Sequence, residues 1–174
     1  MGMETAFDAV ACFCHFHFST WSRWDSRHDL DGLEFPGVYV IADPKTNLSG
    51  KPCSCRKDIV YIGMTHKAKR TLKRRLSEFN NRGPHAGGRR LLEECGGDLA
   101  AKRKRLERFF VAIASLNKQP TEADMVTIDN LEILCLAEYL RTFNCRLPRY
   151  NEGPKWEGHI RSGPTIRGQQ SKPV

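Results

Sequence analysis

Apolar positions fall in short runs separated by stretches rich in Gly, Pro, Asn and Ser. After the polar, turn-like "STWSRWDSRHDLDG", Pro36-Gly37 opens the run Gly37-Val38-Tyr39-Val40-Ile41, which predicts a strand over about 37–42. "ADPKTNLSGKPCSCRKD" then reads as a long hairpin connection, and the next apolar run as the return strand over about 58–63. Strict alternation puts Ile59, Tyr61 and Gly63 on one face of that strand and Val60, Ile62 and Met64 on the other. Both faces are apolar, so burial on both sides is expected.

The period then changes. Leu72, Leu76 and Phe79 recur at helical spacing within "KRTLKRRLSEFN" and predict a helix over about 69–80. Arg75 shares that stripe and points toward the core side, whereas Arg74 does not. "NRGPHAGG" breaks the chain, "GRRLLEEC" is a short helix, and a further helical turn at about 98–105 follows. "RFFVAIASL" (108–116) is rich in β-formers and supplies a third strand. A long helix capped by Thr127 or Asp129 runs to about 143, and "CRLPRYN" forms a loop ending at Asn151. The expected fold is α/β: a small, mostly antiparallel three-stranded sheet flanked by helices. Residues 1–35 stand as an N-terminal extension, 36–151 as the domain, and 152–174 as a flexible basic tail.

Charge adds a partner class. Lys and Arg number 28 against 20 Asp and Glu, giving a net charge of +8. This balance suits a polyanion such as nucleic acid, because each cation on a phosphate releases counterions. The candidate contacts are Lys69, Arg70 and Arg74, with Lys102, Arg103 and Lys104 in a basic run that is otherwise a solvated face. No apolar run is long enough to span a bilayer, so no membrane partner is expected. Glu4 and Asp8 do not suit a signal peptide, and seven cysteines suit reduced thiols, so a cytoplasmic location is expected. Cys12 and Cys14 with Cys53 and Cys55 form a conceivable zinc set, but the spacing lacks C-x2-C and buried or loop thiols are favoured.

Gly37-Val38-Tyr39 followed by Tyr61-Ile62-Gly63 resembles the paired signature of the GIY-YIG endonuclease superfamily. Arg75-Leu76 stands in the next helix, where these nucleases carry their catalytic arginine. Glu138 stands in the late helix, where they carry the metal-binding glutamate, and Pro148-x-x-Asn151 matches their closing asparagine. The helix itself is apolar almost all round, so its periodicity does not choose between Glu132 and Glu138. Glu138 is preferred for its distance from Asn151, which is similar to the family's. Phe79 departs from the pattern, standing where several members have a histidine.

The resemblance implies a Mg²⁺-dependent (or Mn²⁺-dependent) DNA endonuclease, with restriction-like, sequence-specific cleavage favoured over structure-specific repair cleavage. A dimer is one way for such an enzyme to cut both strands. Glu138 would hold the metal, and Arg75 would contact the phosphate. Tyr39 would be the general base, its pKa lowered by nearby positive charge, and Tyr61 would orient the water or the phosphate. Asn151 would hold Tyr39 or a backbone segment. The rival from another class is a non-catalytic nucleic-acid-binding module of the same fold.

Overall fold

The computed structural model describes residues 17–66, 70–116 and 118–151. Four strands form one sheet in the order β1-β4-β2-β3, every pair antiparallel. They are β1 (Ser22–Arg23), β2 (Gly37–Ala42), β3 (Ile59–Thr65) and β4 (Phe110–Ser115). Four α-helices accompany them: α1 (Leu72–Asn80), α2 (Ala86–Glu94), α3 (Leu99–Leu106) and α4 (Glu122–Thr142). The α/β class is as expected, but the sheet has four strands rather than three. The extra one is only two residues long and too short to leave a period in the sequence. It comes from the stretch expected to be an extension, where Trp21 and Trp24 are each 1% exposed and sit in the two cores.

Central β2 is buried at all six residues, as a strand apolar on both faces must be. Val38, Val40 and Ala42 point to one core, where Ile128, Leu131, Cys135, Leu136 and Tyr139 of α4 cover the sheet. Tyr39 and Ile41 point to the other, against Leu72, Leu76 and Phe79 of α1, Leu91 of α2 and Leu106 of α3. Simple alternation fails in β3. Ala42 pairs with Ile59 while Ile41 pairs with Tyr61, so Val60 is an extra residue in a β-bulge. Ile59 therefore shares a core with Ile62, and Val60 with Tyr61.

The helix ends follow their caps. Thr71 accepts from Arg74 N–H and starts α1 at Leu72, two or three residues later than the hydrophobic stripe suggests. Thr121 and Asp124 form a reciprocal capping box, so α4 begins at Glu122 rather than at the expected Thr127 or Asp129. Thr127 is then inside the helix, its hydroxyl donating to Ala123 O at 2.9 Å. Among the described residues no helix is long and apolar enough to cross a membrane. The expected basic tail, with Lys69, Cys12 and Cys14, lies outside the described residues.

Candidate active site

The two motif tyrosines meet on one face of the sheet. Tyr39 pairs across the strands with Gly63, and the Tyr61 ring reaches over that glycine to a centroid distance of 5.8 Å from Tyr39. A Cβ on Gly63 would lie 2.4 Å from the Tyr61 ring and 2.8 Å from Tyr39 Oη. Gly63 is thus required by the space the two rings occupy. The two phenols interact electrostatically, and each shifts the other's ionisation.

Arg75 projects from α1 toward this pair, as its place on the apolar stripe predicts. Its charge acts on both phenols, and its side chain is only 15% exposed. Glu78 holds it from one turn on, Nη1 donating at 2.9 Å, and also pairs with Arg70 at 2.7 Å and Arg74 at 3.2 Å. Burial alone would raise the Glu78 pKa, but the bonds from Arg70 and Arg75 hold it below the usual value. Three cations around one carboxylate leave a net positive corner beside the tyrosines.

The glutamate of the site is Glu132. It interacts electrostatically with Arg75, Tyr39 and Tyr61. Glu138, expected there, lies instead beside Cys53. Six residues at 100° each place the two carboxylates about 120° apart around α4, so one helix cannot send both to the same place. Burial, reinforced by Asp129 and opposed by Arg75, pushes Glu132 up to about 7. Its carboxylate makes no hydrogen bond or ion pair with the described residues. Asp129, one turn earlier, is bonded to His66 at 2.7 Å.

Asn151 binds the backbone of β3. Its Oδ1 accepts from Ile62 N–H at 2.8 Å and its Nδ2 donates to Ile62 O at 2.6 Å. With Tyr150 N–H donating to Val60 O at 2.8 Å, the segment after α4 lies along the otherwise free edge of β3. Of the two expected roles for Asn151, the structure shows the backbone one.

Two expectations are corrected here. Tyr39 is fully enclosed and its pKa is raised by burial, then by Tyr61, with Arg75 only partly opposing; a lowered value was expected. Lys102, expected as a surface cation, is buried. Its ammonium donates to Asn81 O at 2.9 Å beyond the end of α1, and burial lowers its pKa to about 8. Arg103 and Lys104 are exposed on α3, whereas Arg70 and Arg74 border the site.

One residue escaped the sequence reading. His85 caps α2 and is fully buried between the rings of Tyr61 and Phe79, each 5.0 Å away, with Nε2 2.5 Å from Tyr39 Oη. It supplies an imidazole beside Phe79, where a helix histidine was missed. The only signal was its place in "GPHAGG", just ahead of a helix. The glycines after it permit the contact, since a Cβ on Gly87 would lie 2.6 Å from the Tyr61 ring.

A group able to hold a metal from three or more His, Cys, Asp or Glu side chains does not occur among the described residues. Glu132 nevertheless fits a Mg²⁺ ion, which binds through one or two carboxylates and keeps several waters. A half-buried carboxylate without a partner among the described residues is the kind of group a cation satisfies. Burial, reinforced by Cys55, raises the Cys53 thiol above its usual value. Comparison with known proteins finds no matching family model, curated protein or solved structure.

Proposed function

We propose that this chain is a divalent-metal-dependent DNA endonuclease of the GIY-YIG type, with Glu132 rather than Glu138 as the metal ligand. The observation that carries the reading is the meeting of Tyr39, Tyr61, Arg75 and Glu132 from two strands and two helices, with Asn151 locking the strand between them. A packing cluster has no use for a buried arginine and a carboxylate that lacks a partner among the described residues, because each costs desolvation. Phosphodiester hydrolysis uses both.

A Mg²⁺ or Mn²⁺ ion, when bound, supplies Lewis-acid stabilisation of charge on the phosphate and leaving oxygen. Glu132 would hold it. Arg75, already aimed and always charged, would bind non-bridging phosphate oxygens. The Tyr39–Tyr61 pair would take the proton of the attacking water. An open groove of about 480 Å³ beside α1 is lined in part by Lys73, Arg74, Ser77 and Glu78 and meets the cluster only through Glu78, the partner of Arg75, so it would hold flanking backbone rather than the bond being cut.

The deciding experiment is incubation with plasmid DNA in Mg²⁺ or in EDTA, with the ends mapped. Discrete fragments in Mg²⁺ alone support restriction-like cleavage, and scattered nicks support structure-directed cleavage. Binding without cleavage over several metals would overturn the enzymatic reading in favour of a binding module.

A further inference from the structure

Helix α4 has a second apolar face. Ile128, Leu131, Cys135, Leu136 and Tyr139 turn to the sheet and are buried. On the opposite side Val126, Ile133 and Leu134 are 59%, 53% and 44% exposed, the exposed large hydrophobic residues among those described. Glu122, Val126, Asn130, Ile133, Ala137 and Arg141 are all exposed and, at 100° per residue, fall within about 100° of one another. Their spacing of 4, 4, 3, 4 and 4 residues reads the same in both directions. It is also an eleven-residue repeat, close to the natural helical period, so the stripe runs along α4 instead of winding around it. Its two ends carry opposite charges. Neither Glu122 nor Arg141 has a hydrogen bond or ion pair with the described residues.

We propose that this outer face of α4 pairs with the same face of a second copy of the chain, antiparallel about a two-fold axis level with Leu131 and Glu132. The symmetric spacing then sets Glu122 opposite the partner's Arg141, Val126 opposite the partner's Ala137 and Asn130 opposite the partner's Ile133, each contact occurring twice. The small Ala137 leaves room for the partner's Val126. A parallel pair would instead set Glu122 against Glu122 and Arg141 against Arg141, and like charges oppose it. The charges of the stripe sum to zero, so a polyanion has nothing to hold there, whereas a copy of the same helix matches it end to end. Glu132 is turned about 130° from the middle of the stripe, so pairing leaves the tyrosine cluster open and holds whatever reaction that cluster performs. One helix pair is small beside the roughly 1,200–2,000 Å² of stable interfaces, so the dimer is reversible, with Kd on the order of 10 µM.

The test needs no substrate. Sedimentation velocity of the full chain between about 1 and 200 µM should show monomer giving way to dimer. Ile133→Asp should abolish the dimer at every concentration. Because Ile133 is exposed in the single chain, that variant should melt like the parent when both are dilute. The end charges test the alignment. Glu122→Lys and Arg141→Glu should each weaken pairing about fivefold, and the two substitutions together should restore it. A role confined to the helix ends predicts the reverse order, since each substitution opposes the helix dipole and the double variant would fare worst. A parent that stays monomeric at the highest concentration overturns the proposal, as does a dimer that Ile133→Asp leaves intact. A double variant that pairs no better than the single ones overturns the antiparallel alignment. A monomeric parent whose melting temperature falls with Ile133→Asp would show the face covered by another part of the same chain, such as residues 1–16, and that result also overturns the proposal.

Discussion

Asn151 replaces a neighbouring strand for Ile62, its amide accepting from the backbone N–H and donating to the carbonyl of the same residue. The bonded residue lies between Tyr61 and Gly63, so the clamp holds the strand where the tyrosines cross. Asn151→Ala should cost about 1–2 kcal/mol by leaving two backbone groups unpaired. Asn151→Asp should cost at least as much, because a carboxylate cannot donate to Ile62 O. Thermal melts of both variants check this. Asn151→Asp melting like the parent would show the clamp to be dispensable.

Glu132 and Glu138 should part company in function. Glu132→Gln should abolish cleavage with DNA binding equal or tighter, and Glu138→Gln should leave single-turnover rates near the parent's. The reverse pattern would return the metal to Glu138.

Stability should carry the same distinction. The Glu132 pKa of about 7 lies above its unfolded value, so the folded state holds a proton that the unfolded state has released. Its contribution is therefore lost as pH rises from about 4.3 to 7, at up to about 1.4 kcal/mol per pH unit. Glu132→Gln should flatten that decline. At pH 8, Mg²⁺ at ten times its Kd should stabilise the parent by about 1.4 kcal/mol and leave Glu132→Gln unchanged. Equal Mg²⁺ shifts in both proteins would remove Glu132 from the metal site.

Gly63→Ala tests the crossing of the rings. The added methyl meets Tyr61 and Tyr39 below contact distance, so about 1–3 kcal/mol of overpacking is expected, with loss of cleavage. Gly96→Ala serves as a surface control: a Cβ there meets nothing within 4 Å, and only its positive φ opposes the change. A Gly63→Ala protein that melts and cleaves like the parent would contradict the packing described.

The basic residues should divide by burial. Arg74→Ala should weaken DNA binding and reduce the salt slope by about 1. Lys102→Ala should instead lower the melting temperature, since it empties a buried site and frees Asn81 O. Binding titrations at several salt concentrations, beside melts, distinguish the two. A reduced slope for folded Lys102→Ala would place that lysine on the DNA after all.

Local pattern alone determined much of this molecule. Two apolar strands with tyrosines at 39 and 61, an arginine on the inner stripe of the following helix and an asparagine closing the chain were all legible. Each is set by spacing along one element, and the backbone period turns spacing into direction. Where direction depends on a neighbour, the sequence was silent. Helix α4 is apolar almost all round, so no amphipathic stripe says which glutamate turns to Arg75; the docking of α4 against β3 decides it. The bulge at Val60 shifts the faces of β3 by one residue, a slip that alternation alone cannot reveal. Lys102 looks like one cation in a solvated run until the end of α1 lies over it. His85 looks like a loop residue until α2, with glycines where Tyr61 and Phe79 approach, folds its ring onto Tyr39. These residues acquire their environment only when separate elements pack, because burial and hydrogen-bond partners are properties of pairs distant in the chain.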